Sequence, residues 1–297
     1  MTIKIIADSA SDLSVEDYKQ YDIEMVPLTV QLDGENYEDG ISISPKTIYE
    51  EMRAGKSPKT AQVSPQVFQD TFEKHAKAGD DVIYLAFSSE LSGTYQSAKL
   101  MEQQVKENYP DFNLHILDTK CASLGYGLVV IKAAEMVKHG ATLEEVLEVS
   151  QYYYENMEHI FTVDDLEYLY RGGRVSKTAA FVGTLLKVKP LLHMEDGKLI
   201  PLEKVRGSKK VLKRMVEVME ERGVDLEKQT IGISHGDVED VANQLAELIQ
   251  EKWKVKEIKM NMVGSSIGAH SGPGTLALFF LNQPPKKLAF FARNSSY

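Results

Sequence analysis

An apolar run, Tyr84-Leu85-Ala86-Phe87, empties into Ser88-Ser89-Glu90-Leu91-Ser92-Gly93-Thr94 and continues as a helical pattern over 93–108. A strand that passes through a short hydroxyl-rich turn straight into a helix belongs to a βαβ arrangement, and so to a mostly parallel, helix-covered sheet. The first amides of such a helix have no partner inside it. With the Ser and Thr hydroxyls they make a site for a small anion held by neutral donors. Open α/β sheets place their ligands at this same edge, beyond the C-terminal ends of the strands.

The alternation extends along the first half of the chain. Strand patterns at 3–7, 25–32, 82–87 and 114–117 are separated by helical patterns at 44–54, 64–78 and 93–108. Pro45 and Pro65 each follow a serine just inside a helix start, a position where proline's missing N–H costs nothing. A helix over 143–156 carries the chain into a second region near Ile160. There the Asp196-Gly197 pair signals a hairpin, helices are expected at 209–222 and 238–253, and strands at 230–235, 257–263 and 275–281. The expected fold class is α/β, with two α/β domains. Residues 1–158 form a mostly parallel sheet with helices on both faces, and 159–297 a mixed sheet with helices. The tail after Pro284 carries weak signals.

Composition narrows the function. A chain of 297 residues with 43% hydrophobic and 26% charged residues reads as soluble and globular. Its formal charge of −10 offers no basic stripe for nucleic acid. Cys121 is the only cysteine, so neither an intrachain disulfide nor a multi-thiolate metal site is available. The N-terminus turns polar too early for a secretory segment, and the longest purely apolar run, Leu276–Leu281, is too short to cross a bilayer. No integral membrane association and a reducing cytoplasm are the expectation.

Several pattern matches fail on their context. Gly264-Ser265-Ser266-Ile267-Gly268 fits the G-x-S-x-G of a nucleophile elbow and follows a strand. No acidic residue comes after Ser266, however, and Gly272-Pro273-Gly274 is expected to interrupt the helix an elbow requires. Gly55-Lys56-Ser57 lacks the first glycine of a phosphate-binding loop, where Glu50 stands, and Pro58 follows it. The seven histidines show no metal-binding spacing. No catalytic residue, metal or cofactor is expected.

Seven separated segments carry more information together than singly: Asp8-Ser9-Ala10-Ser11-Asp12-Leu13, Thr60-Ala61-Gln62-Val63-Ser64-Pro65, Ser88 through Ala98, Asp118 through Gly125, Leu166 through Arg174 with its Arg171-Gly172-Gly173-Arg174 turn, Lys204-Val205-Arg206-Gly207 read as a loop, and His270-Ser271-Gly272-Pro273-Gly274-Thr275. In order and spacing they resemble the DegV family over nearly the whole chain, which includes the fatty-acid-binding subunits of bacterial fatty acid kinase. The resemblance implies a long-chain fatty acid in a buried tunnel between two α/β domains. It assigns the carboxylate to Thr60 and Ser92, with Gly93 and Thr94 opening the following amides. It also implies a separate dihydroxyacetone-kinase-like fatty acid kinase subunit that phosphorylates the bound carboxylate, served by Arg171, Arg174, Arg206 and His270 near the tunnel mouth. Ala61 and Val63 depart from the family's usual Ser and Pro.

The residue chemistry is compatible with that assignment and leaves alternatives. Ser92 and Thr60 suit helix capping as well as ligand contact, and one set of amides serves both. Arginine suits bidentate phosphate recognition, while Arg171 equally suits a solvated helix end. Asp8 and Ser9, at the end of the first strand, either orient a neighbouring hydroxyl or His270, or cap the following helix. Ser123 and Gly125 open a further helix, where close packing alone accounts for the glycine. Two other functions stay open: a hydrolase or acyl transferase using Ser92 or Ser266 with His270, and a fatty-acid-binding regulator without a kinase.

Overall fold

The computed structural model describes residues 2–176 and 188–283, so the tail after Pro284 lies outside the described residues. The first half runs β1 (Ile3–Asp8), α1 (Val15–Gln20), β2 (Ile23–Val26), β3 (Thr29–Leu32), β4 (Glu35–Glu38), α2 (Pro45–Arg53), β5 (Lys59–Ala61), α3 (Pro65–Ala78), β6 (Asp81–Ala86), α4 (Thr94–Asn108), β7 (Leu114–Asp118), α5 (Ser123–Lys138) and α6 (Leu143–Glu155). Strands β2, β1, β6 and β7 lie in that order and are all parallel, as the alternation predicts.

The second half continues with β8 (Met157–Thr162), α7 (Leu166–Arg171), β9 (Val188–Glu195), β10 (Lys198–Arg206), α8 (Ser208–Arg222), β11 (Thr230–His235), α9 (Glu239–Trp253), β12 (Glu257–Met262), α10 (Ser265–Ser271) and β13 (Leu276–Leu281). Its six-stranded mixed sheet has the order β10-β9-β8-β13-β11-β12, and only β11 and β12 pair in parallel.

A third sheet departs from the sequence reading. The single strand expected at 25–32 is two strands in two sheets. Pro27 has no N–H to give a ladder, so the parallel strand ends at Val26, and β3 starts afresh in an antiparallel sheet of order β4-β3-β5. The Asp33-Gly34 pair, both residues at positive φ, closes the β3–β4 hairpin.

Helix α5 joins the two large sheets. Nearly its whole circumference is apolar and buried, as expected of a helix with no solvent face. It packs on β1 from one side and on β8, β11 and β13 from the other. Gly125 is where it comes nearest: a Cβ there would sit 2.6 Å from both His159 Nε2 and Phe279 Cδ1. Polar contacts add to the join, since Lys259 on β12 pairs with the buried Asp17, and Asn261 Nδ2 donates to Asp12 O at 2.9 Å.

Candidate functional site

Between the parallel and mixed sheets lies a cavity of about 160 Å³. Most of its wall is apolar: Leu28, Phe87 and Leu91 come from the first half, and Phe161, Leu169 and Phe279 from the second. Apolar cavities of ~150 Å³ stay dry and take up hydrocarbon, so this space suits an aliphatic group better than water.

Polar groups gather where three loops meet. The turn after β6 bends back on itself, with Ser92 N–H donating to Ser88 O at 3.2 Å. Behind Ser92 stands the fully buried Thr94, whose hydroxyl lies 2.8 Å from Ser92 Oγ. Thr94 Oγ1 also accepts the Val63 N–H at 3.3 Å, and its own N–H donates to Ser92 Oγ at 3.2 Å. Ser92 Oγ therefore accepts the Thr94 N–H from behind, and either hydroxyl can be the donor in the Ser92–Thr94 pair. The edge strand β5 brings Thr60 opposite, with Thr60 Oγ1 2.6 Å from His270 Nε2. His270 is carried by α10, and Gly172 lets its ring approach, because a Cβ on Gly172 would overlap Nδ1.

Arg174 closes this end. Its Nε and Nη2 donate to Leu91 O at 3.2 and 2.9 Å, and Nη1 donates to Gly172 O. The guanidinium thus ties the Ser92 turn to the end of α7. Among the described residues no carboxylate pairs with it, and burial pulls its pKa below the usual arginine value. Burial, followed by the Arg174 charge, depresses His270 to about 4, so its imidazole is neutral at physiological pH. Among the described residues the cavity therefore ends in one cation without a carboxylate partner, beside the neutral side chains of Ser92, Thr60 and His270.

The groups at the ends of β1 support this arrangement from behind. Asp8 is fully buried and accepts from Tyr84 Oη at 2.7 Å, Phe87 N at 2.9 Å and Ala10 N at 3.2 Å, which fixes the start of the Ser88–Ser92 turn. Burial raises it to about 6. Ser9 Oγ accepts from Leu28 N at 3.0 Å and donates to the buried Asp39 at 2.9 Å. Ser123 lines the cavity, donates to Asp12 and lies 2.9 Å from Ser234 Oγ. Burial lifts Asp12 to about 8 and also raises Asp39.

Thr60, Ser92, Gly93, Ser123, Arg174 and His270 all line the cavity. Thr94 does not; it is one layer back, against Ser92. Asp8 and Ser9 likewise stand behind the wall. Arg171 is solvent-facing, pairs with Glu167 at 3.0 Å and lies over the Tyr168 ring, the helix-end role. Arg206 belongs to β10 and not to a loop; it pairs with Val188 across the ladder and is exposed, and it does not line the cavity. Gly207, at φ +97°, makes the turn that follows.

A helix follows Gly264 and stops at the Gly272-Pro273-Gly274 interruption the sequence shows. It is short because Gly272, at φ +79°, ends it. Its glycines answer to packing, since a Cβ on Gly264 would lie 2.7 Å from Asp12 Oδ1 and one on Gly268 2.6 Å from Tyr49 Oη. His270 Nε2 is engaged by Thr60 and Ser92 Oγ by Thr94, and among the described residues no hydrogen bond joins Ser92 or Ser266 to His270. Asp12, Asp39 and His159 were not singled out from sequence. His159 is buried, depressed to about 4 by desolvation, and accepts the Ala122 N–H at 3.2 Å. Asp12 falls inside the Asp8–Leu13 segment, but no local motif marks Asp39 or His159, whose partners are far away in the chain. Among the described residues no group of His, Cys, Asp or Glu is arranged to hold a metal ion, and no helix is long and apolar enough to cross a membrane.

The family model described as "Uncharacterised protein, DegV family" matches residues 2–283. A DegV domain-containing protein from Clostridium perfringens is 43% identical over 280 residues, which is 93% of this chain and 96% of the relative. Among solved structures, one of a DegV family protein from Thermus thermophilus, concerned with its fatty acid binding, is 32% identical. It has a TM-score of 0.87 and covers 95% of this chain and 100% of that one. DegV from Bacillus subtilis, a fatty acid binding protein, is 31% identical with a TM-score of 0.84, at 95% and 100% coverage. The match over nearly the whole chain and the shared architecture make this chain a member of the DegV family.

Proposed function

We propose that this protein binds one long-chain fatty acid, with its carboxylate between Thr60, Ser92 and Arg174 and its chain in the apolar cavity. The reading rests above all on Arg174: a half-buried cation that faces an apolar cavity without a carboxylate of its own among the described residues. An incoming carboxylate supplies that counter-charge, while Ser92 and Thr60 each give one hydrogen bond to an oxygen. With the His270 proton on Nε2, the ring donates to Thr60 Oγ1 and frees the Thr60 proton for the ligand. The acyl chain provides most of the affinity, at about 0.8 kcal/mol per buried CH₂. The fatty acid binding described for the Thermus thermophilus and Bacillus subtilis relatives supports the same ligand class here.

The finer part of the proposal is that the bound carboxylate is presented to a separate dihydroxyacetone-kinase-like subunit for acyl-phosphate formation. The chain has no phosphate-binding loop motif for its own nucleotide, and Arg206 is exposed with no ion-pair partner among the described residues. Arg174 and His270 stand at the reacting end of the ligand, and Arg206 is offered to the partner.

Native mass spectrometry of protein purified from a bacterial host is the direct test of ligand class. The expected spectrum carries an added mass equal to a fatty acid, lost on delipidation and regained on adding palmitate. Apo protein that takes up no palmitate would rule the proposal out. Co-purification of a dihydroxyacetone-kinase-like protein separates a kinase carrier from a stand-alone binding regulator.

A further inference from the structure

We propose that Asp39, which does not line the cavity, is the positioning residue that sets His270 against Thr60; the inference rests on the carboxylate-binding reading above. Asp39 is 2% exposed and directly follows β4. Its Oδ1 accepts the Ser265 N–H at 3.1 Å, and its Oδ2 accepts the Ser266 N–H at 3.3 Å. Asp12 Oδ1 takes the preceding amide, Gly264 N–H, at 2.9 Å. The opening amides of α10 are thus held by carboxylates from the first half of the chain, more than two hundred residues away in sequence.

The rest of α10 is held by other means. Tyr49 packs under Gly268 and donates to Val263 O at 3.0 Å, and Thr275 Oγ1 donates to Ser271 O and Gly272 O at 3.1 and 2.8 Å. His270 follows Ser266 by four residues, so it lies on the same helix face, about 6 Å further along the axis. A shift of the Ser265–Ser266 end is carried to the imidazole almost rigidly.

What gives Asp39 its particular role is the small three-stranded sheet. Thr29 on β3 is in register with Glu38 on one side and Ala61 on the other, and Val30 is in register with Thr60. Asp39 and Thr60 are therefore held at a fixed separation by the β3 ladders. One grips the start of α10 and the other bonds to the histidine near its end. This sheet sets the Thr60–His270 hydrogen bond, and through it the direction in which Thr60 donates.

The test uses full-length Asp39→Asn, Asp39→Ala and Ser9→Ala, the last removing the hydroxyl that bonds Asp39 Oδ2. Asparagine keeps the acceptor for one amide and turns a donor toward the other, so it is the milder change. Three quantities are read: the imidazole ¹⁵N shifts of His270 without lipid, palmitate affinity by calorimetry, and the melting temperature. The His270 shifts are expected to move toward those of Thr60→Ala, in the order Ala, Asn, Ser9→Ala. Affinity is expected to fall about tenfold in Asp39→Asn, the equivalent of one lost charged-group hydrogen bond. If Asp39→Ala does not fold, Asp39→Asn and Ser9→Ala still decide. Unmoved His270 shifts and unchanged affinity in folded Asp39→Asn, with only a lower melting temperature, would overturn the proposal. Because the ¹⁵N reading needs no ligand, a wild type that binds no palmitate would sink the carboxylate reading and leave this one testable.

Discussion

Replacing Ser92 and Thr60 together by alanine is expected to cause the largest loss of fatty acid affinity of any pair of substitutions that leaves the fold intact. Each hydroxyl gives one hydrogen bond to an ionised carboxylate, worth about 1.5–3 kcal/mol, or roughly 10- to 150-fold in affinity. The two bonds share one head group, so the double variant should fall short of the sum of the singles. Binding should weaken without vanishing, because the acyl chain still leaves water. Ser92 is only partly buried and Thr60 lies on an edge strand, so both variants should fold. Calorimetric titration with palmitate reads the effect. Unchanged affinity in the double variant would place the carboxylate elsewhere.

The largest expected loss of stability belongs to Asp8→Ala. It orphans the Tyr84 hydroxyl and the Phe87 and Ala10 amides in a fully buried place, and it weakens the hold on Tyr126. At about 1–3 kcal/mol per stranded buried group, the loss should reach about 3–5 kcal/mol. Denaturant unfolding checks it. A loss under about 1 kcal/mol would mean that the network is dispensable. The pH dependence has a definite sign. Burial raises Asp8 to about 6 and Asp12 to about 8, above the ~3.9 of an unfolded aspartate, so the folded state holds these protons more tightly. Their contribution to stability is greatest below pH ~4 and declines as pH rises through those two values. Asp8→Asn should remove the lower part of that decline.

The strand–helix alternation made the parallel sheet readable, because a two-residue period and a 3.6-residue period leave different marks on the sequence. The hairpin at Asp196-Gly197 was readable for a similar reason: its turn chemistry is local. Ser92, Gly93, Thr60, Arg174 and His270 could be picked out because each sits in a short motif at a strand or helix end. Where the reading went astray, a distant partner decides. Nothing near Met25 announces that one strand will divide between two sheets, although Pro27 supplies the physical reason. Arg206 looked like a loop residue before a glycine, yet the β9 ladder holds it in a strand. Asp12 and Asp39 resemble ordinary turn acids, and only the fold brings them to the start of α10. Thr94 shared the motif of Ser92, but the first turn of α4 rotates it away from the cavity and against Val63.

The carboxylate site proposed at the end of the apolar cavity is built from the Ser92 and Thr60 hydroxyls and from Arg174, which no carboxylate pairs with among the described residues. A crystal structure of the palmitate-loaded protein tests it most directly. Continuous density is expected in the cavity, with one carboxylate oxygen within hydrogen-bonding distance of Ser92 Oγ and the other facing Thr60 Oγ1 and Arg174. A carboxylate turned toward Ser123 and Ser234, or a cavity without lipid in crystals grown with excess palmitate, would contradict it.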